Sequence, residues 1–153
     1  MKKEQIIEKY LTNKQSYINA INAWKTVKRI TKKDGGDFAN IGKNFSNGKV
    51  KQKYPWDNTL ELSIDYHCGT GWTYDSVEIK EGDTVEDVFE KINKRIEVFT
   101  QYVEEDDKKA NSVQYVLSEV DKTMKELLKF CKENNFSAYE VCDYIRDNYW
   151  SFE

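Results

Sequence analysis

From Val85, alternating steps of four and three residues land on Phe89, Ile92, Ile96, Phe99, Val103, Asp106, Ala110, Val113, Leu117, Val120, Met124, Leu127 and Cys131. Asp106 is the one polar residue among them, and no glycine or proline occurs from Asp83 onward. A 3.5-residue apolar repeat held over such a distance forces an α-helical seam that packs like a coiled coil. Two geometries satisfy it. One is a single helix of roughly 70 Å, at about 1.5 Å per residue, that needs a second copy to cover its seam. The other is a helical hairpin turning at "EEDDKKANS", Glu104 to Ser112. The hairpin buries the seam within one chain and places the charge cluster and Asp106 at its apex, so it is the expected form. Asp83 with Glu86, and Thr84 with Asp87, both fit the box that opens such a helix. Ser137 with Glu140 opens a last short helix through Val141, Tyr144, Ile145 and Tyr149, and the chain ends on the aromatic "DNYWSFE".

The sequence before Asp83 has a different character. Ile7, Tyr10, Leu11, Tyr17, Ile18, Ile21, Trp24 and Val27 recur at helical steps from Lys3 to about Arg29, with a break expected near Thr12, where Thr12 and Gln15 make a capping box. Asp34-Gly35-Gly36-Asp37 stops this helix. The stretch "DFANIGKNFSNGK" is ambiguous, since Phe38, Ile41 and Phe45 keep helical spacing while Asn47-Gly48 signals a hairpin turn; a short helical turn followed by a strand at about Val50 to Tyr54 is the expected form. Leu60, Leu62, Ile64 and Tyr66 alternate with polar residues, the mark of a strand with one wet face. Trp72 to Lys80 pairs with it, and a parity slip between Trp72/Tyr74 and Val77/Ile79 predicts a bulge near Asp75-Ser76. The fold class is therefore α+β: an N-terminal amphipathic helix, a small antiparallel meander, and a C-terminal coiled-coil-like helical hairpin or one long helix, plus a short terminal helix. With 153 residues the chain is expected to form one domain, with a basic helix-plus-sheet part over 1–82 and an acidic helical part over 83–153.

The net charge of −3 conceals that division. Residues 1–56 carry 13 Lys+Arg against 4 Asp+Glu, and residues 57–153 carry 11 against 23. Segregation of this kind points to charged partners before any motif is found. The basic candidates for partner or nucleic-acid binding are Lys25, Lys28, Arg29, Lys32, Lys33, Lys43, Lys49, Lys51 and Lys53, with Trp56 among the interleaved rings: lysines reach phosphates and exposed rings stack on unpaired bases. Arginine is scarce, at 3 against 21 lysines, which disfavours bidentate, sequence-specific readout. Glu86, Asp87, Glu90, Glu97, Glu104 and Glu105 form an acidic flank suited to a basic channel. The opposing reading is that the lysines complement the chain's own acidic helices.

"YHCGTGWTY", Tyr66 to Tyr74, holds the lone histidine, one of three cysteines and two glycines, and resembles an active site at first sight. Neighbours on a strand point to opposite faces, so His67 and Cys68 do not form a dyad. Cys131 falls on the helical seam as a packing thiol. Gly69-Thr70-Gly71 lacks the third glycine and the helix of a dinucleotide fingerprint. One histidine with cysteines at 68, 131 and 142 offers no zinc spacing, and the acidic runs lack the calcium-loop pattern. No catalytic residues, metal or cofactor are expected.

Three unpaired-looking cysteines, no apolar run near the roughly 20 residues of a membrane span, and no signal-peptide core after Met1 lead us to expect a cytoplasmic protein. The lysine and asparagine bias fits AT-rich coding, as in low-GC bacteria and their phages. By analogy with small phage and mobile-element products, the leading expectation is a non-enzymatic inhibitor of host nucleic-acid machinery, anti-CRISPR-like, that binds a protein or nucleoprotein complex through opposed charged faces. The alternatives are an accessory protein binding nucleic acid non-specifically through 25–53, a small-molecule binder or enzyme at the 66–74 hairpin lined by His67, Thr70 and Trp72, and a homodimer formed through the helical seam at Ile96 and Leu117.

Overall fold

A computed structural model describes residues 1–150, apart from the side chains of Tyr10 and Thr12; the last three residues, Phe152 of the aromatic terminus included, lie outside the described residues. The elements run α1 (Lys3–Lys33), α2 (Ile41–Asn44), β1 (Gly48–Gln52), β2 (Leu60–His67), β3 (Trp72–Ile79), α3 (Val85–Glu133) and α4 (Ala138–Tyr149). This is the expected α+β class. The chain divides into two compact units, Met1–Asn111 and Ser112–Glu153, with the division falling inside α3. No helix is long and apolar enough to cross a membrane.

Two local expectations are corrected and one ambiguity is decided. α1 continues without a break past Thr12. α3 is the single long helix and not the hairpin: Glu104 to Ser112 are all residues a helix tolerates, so clustered charge alone does not turn the chain. Asn47 leads from α2 into β1, with Gly48 already in the strand, so this pair is no hairpin turn. At the start of α3 the reciprocal box is made by Thr84 and Asp87, whose backbone N–H groups donate to each other's side chains at 2.9 and 3.2 Å. Asp83 instead accepts from the Lys80 N–H and from Lys91 Nζ.

The sheet has the order β1-β2-β3, antiparallel throughout. Register between β2 and β3 runs unbroken from Leu60↔Ile79 to His67↔Trp72, with no bulge at Asp75-Ser76. Parity then places Asp75 on the same face as Val77 and Ile79, opposite Ile64. That face packs against α1 and the first part of α3, burying Ala20, Trp24, Val27, Ile41, Leu62, Ile64, Val88, Ile92 and Phe99 in one core. A carboxylate in such a layer must be paired. Asp75 accepts from the Trp24 indole N–H at 2.8 Å and from Arg95 at 2.9 and 3.0 Å. Gly36 lets the end of α1 approach the start of α3: its φ is +92°, and a Cβ there would fall 2.8 Å from Val85 Cγ2.

Rings fill the far end of this core. Phe99 lies 6.1 Å from Tyr17, 5.9 Å from Tyr66 and 6.3 Å from Tyr102. Burial, reinforced by the Asp75 charge, raises the Tyr66 hydroxyl above its ordinary value; Tyr17 is raised by burial and then by Asp106. Because folding raises both, their contribution to stability is complete below about pH 10 and is lost as pH climbs through the folded-state values. We expect the urea midpoint to hold at pH 9 and to fall by pH 11. Absorbance at 295 nm should show these two tyrosines ionising together with unfolding; an unchanged midpoint at pH 11 would refute the assignment.

Candidate interaction surfaces

The sequence candidates separate into groups with different surroundings. Lys49, Lys51 and Lys53 alternate along β1 and its exit, so all three project on one face, and the neighbouring strands supply acids on that face. Lys49 pairs with Asp65 at 2.6 Å, Lys51 with Glu61 at 3.4 Å, and Lys53 with Glu78. The Lys53 ammonium holds Glu78 below the usual carboxylate range. Trp56 is exposed and stacks on Tyr54 with ring centres 5.3 Å apart.

Lys25, Lys28, Arg29 and Lys32 stand differently. The spacing i, i+3, i+4, i+7 puts them on one stripe of α1, about 10 Å long at about 1.5 Å per residue. They line a shallow groove of about 390 Å³. Lys28 Nζ donates to Asn93 Oδ1 at 2.6 Å, and the ammonium groups of Lys28 and Lys32 lie 5.5 and 5.7 Å from the Phe89 ring centre. Partial burial, then repulsion from Lys32, lowers the Lys28 ammonium below its ordinary value. Among the described residues no carboxylate pairs with any of the four, nor with Lys33 or Lys43. The acidic flank is exposed at Glu86, Asp87, Glu90, Glu97, Glu104 and Glu105. Within it, Asp87 caps α3, and Glu90 pairs with Lys94 at 3.0 Å.

At the β2–β3 hairpin the Cys68 N–H donates to the Gly71 carbonyl at 2.8 Å. His67 Nδ1 accepts from the Gly69 N–H at 3.2 Å, which leaves the ring proton on Nε2. The imidazole meets Trp72 edge-on at 5.8 Å, while Cys68 Sγ sits 3.8 Å from Thr70 Oγ1. His67 and Trp72 share an open groove of about 380 Å³ with Asn19, Asn22, Asn47 and Asp65, and Thr70 is not part of it. The asparagines come from α1 and from the residue before β1, and local sequence gave no signal that they would converge. Among the described residues no three metal-ligating side chains cluster.

The C-terminal unit presents another kind of surface. α4 buries none of its residues. Tyr115, Val116, Val120, Leu128, Phe130, Phe136, Tyr139, Tyr144, Tyr149 and Trp150 are all exposed. Val120, a seam position expected to be covered, is half exposed. Ile96, expected with Leu117 to carry a dimer seam, packs against the core of the first unit.

The fold and these surfaces define a small α+β protein with segregated charged and apolar faces. Comparison with family models, curated proteins and solved structures gives no significant match.

Proposed function

We propose that this chain is a non-enzymatic interaction protein that docks on a nucleoprotein, its α1 ridge of Lys25, Lys28, Arg29 and Lys32 facing nucleic-acid phosphates. The observation that carries this reading is the contrast between the two basic groups: the strand lysines are neutralised by Glu61, Asp65 and Glu78, whereas the ridge meets no carboxylate among the described residues. Unpaired cations in a row release counterions from a phosphate backbone and so gain affinity without reading bases. In its narrower form the reading is an inhibitor of host nucleic-acid machinery, with Glu86, Asp87 and Glu90 directed at a basic channel of the enzyme. The hairpin is read as a binding feature, since His67 Nδ1 accepts from the Gly69 N–H and Cys68 Sγ lies 3.8 Å from Thr70 Oγ1.

Fluorescence anisotropy with a labelled single-stranded oligonucleotide tests the ridge. Four phosphate contacts predict weak binding whose logarithm falls with that of salt at a slope of about −3. Lys25→Glu with Arg29→Glu is expected to weaken it about tenfold or more and to flatten the slope by about 1.5. Lys49→Gln, Lys51→Gln and Lys53→Gln together should leave it within about threefold, because those charges are already paired. If the strand triple variant lost binding while the ridge variant kept it, the assignment of the surface would be overturned.

A further inference from the structure

We propose that a second copy of this chain covers the apolar face of the C-terminal unit, making a symmetric dimer. This inference is independent of the α1 ridge.

The width of the face comes first. On the heptad, Leu117 and Met124 take a, and Val113, Val120 and Leu127 take d, while the flanking g and e positions hold Val116, Phe130 and Leu128. The charges Glu119, Lys122, Lys125, Glu126, Lys129, Lys132 and Glu133 all fall on b, c and f. A stripe spanning a, d, e and g is wider than one neighbouring helix covers. α4 is 12 residues long, and although Ala138, Val141 and Ile145 are half-buried, its rings at Tyr139, Tyr144 and Tyr149 remain exposed.

Area comes second. The exposed fractions of the unit's aromatic residues run from 54% at Phe130 to 79% at Trp150. At about 150–250 Å² per aromatic side chain, these rings with Val116, Val120 and Leu128 expose on the order of 1,000 Å² in all, Tyr115 at position f lying outside the a, d, e and g stripe. A stable interface needs about 800 Å² per partner, so the unit presents enough apolar surface for one, and more than a soluble monomer ordinarily leaves open.

The occupant follows from charge. Residues 112–133 hold four lysines against four acids, and Asp121 is the one charge at a flanking position. This stretch of α3, being neutral, meets no net repulsion from its own copy, and α4 adds Arg146 against Glu140, Asp143 and Asp147. With Asp121 and Glu119 as the charges beside it, the stripe has little with which to select a strongly charged foreign partner, whereas the basic ridge of this chain lies in the first unit. Two-fold pairing removes the exposed surface wherever the chain is present, and it lets each copy set side chains into the other's shallow groove of about 410 Å³, lined by Tyr115, Val116, Val120, Thr123 and Met124 with Glu119 as its one charged residue.

Sedimentation velocity across a concentration series decides it. The wild-type chain, 18.1 kDa as a monomer, is expected at about twice that mass at micromolar concentration. Val116→Lys combined with Val120→Glu changes two exposed positions, so helix content by circular dichroism should be kept while the mass falls to that of one chain. A wild-type protein that stays monomeric at 100 µM (an order-of-magnitude ceiling for a specific dimer) would overturn the proposal and leave the face to a different protein. So would a double variant that remains dimeric.

Discussion

Asp75→Ala is expected to lower the unfolding free energy of the first unit by about 2–4 kcal/mol, read from urea unfolding followed by circular dichroism. Two losses add. The Trp24 side chain is fully buried, and its indole N–H donates to Asp75 Oδ2 at 2.8 Å. Without an acceptor that donor stays desolvated and unpaired, at a cost of about 1–3 kcal/mol. The second loss is the bidentate pair with Arg95, which contributes about 1 kcal/mol because the guanidinium is 36% exposed and water screens it. Asp75→Asn separates the two, since an amide oxygen still serves Trp24 while the charge is gone, and it should cost about 1 kcal/mol. Trp24→Phe on top of Asp75→Ala should then cost less than it does alone, a coupling of about 1–2 kcal/mol. Equal stability of Asp75→Ala and wild type would mean that the carboxylate is not the partner of the buried indole.

This network also shows what a single sequence hides. The alternation of Leu60 to Tyr66 was legible because each residue reports its own face. Asp75 broke the alternation of β3, and a bulge is the local explanation of such a break. The actual one is distant: Trp24 and Arg95 lie 51 and 20 positions away. Periodicity does not record partners that far apart. The neutralised lysines were closer to legible. Lys49, Lys51 and Lys53 share one parity, as do Glu61 and Asp65, and pairing β1 with β2 sets Lys51 directly opposite Glu61. Read strand against strand, the acids that cancel the strand lysines, a third of the basic segment, are visible. The α1 ridge needs the reverse information, the absence of a neighbouring acid, and a sequence pattern does not supply that.

The long helix carries the sharper lesson. Its 3.5-residue repeat announced a seam, and helix followed correctly, but the repeat does not say what covers each part. Up to Phe99 the seam packs against α1 and the sheet, so Ile92 and Phe99 are core residues. Asp106, read as a hairpin apex, is buried within a continuing helix, and its Oδ2 has no hydrogen-bond partner among the described residues. Past Asn111 the same repeat leads into the unit with the exposed rings.

Phe99→Ala tests that change of role along one helix, with an expected loss of about 3–5 kcal/mol from the first unit. Phe99 is 4% exposed and touches the rings of Tyr17, Tyr66 and Tyr102, and the Arg95 guanidinium lies 5.2 Å from its ring centre. Removing it leaves a void that three fixed rings cannot close. Phe99→Leu keeps most of the volume and should cost about 1–1.5 kcal/mol. If the whole seam were an interface between copies, Phe99→Ala would act on association, and its effect on unfolding would fade on dilution. A core role predicts a loss independent of concentration. Val116→Lys with Val120→Glu, seventeen and more residues further on, is expected to do the opposite, moving mass with concentration while unfolding of the first unit stays put. Two variants on one repeat would then separate into a folding defect and an association defect, the outcome that the proposed dimer requires of a seam whose first half is covered by its own chain.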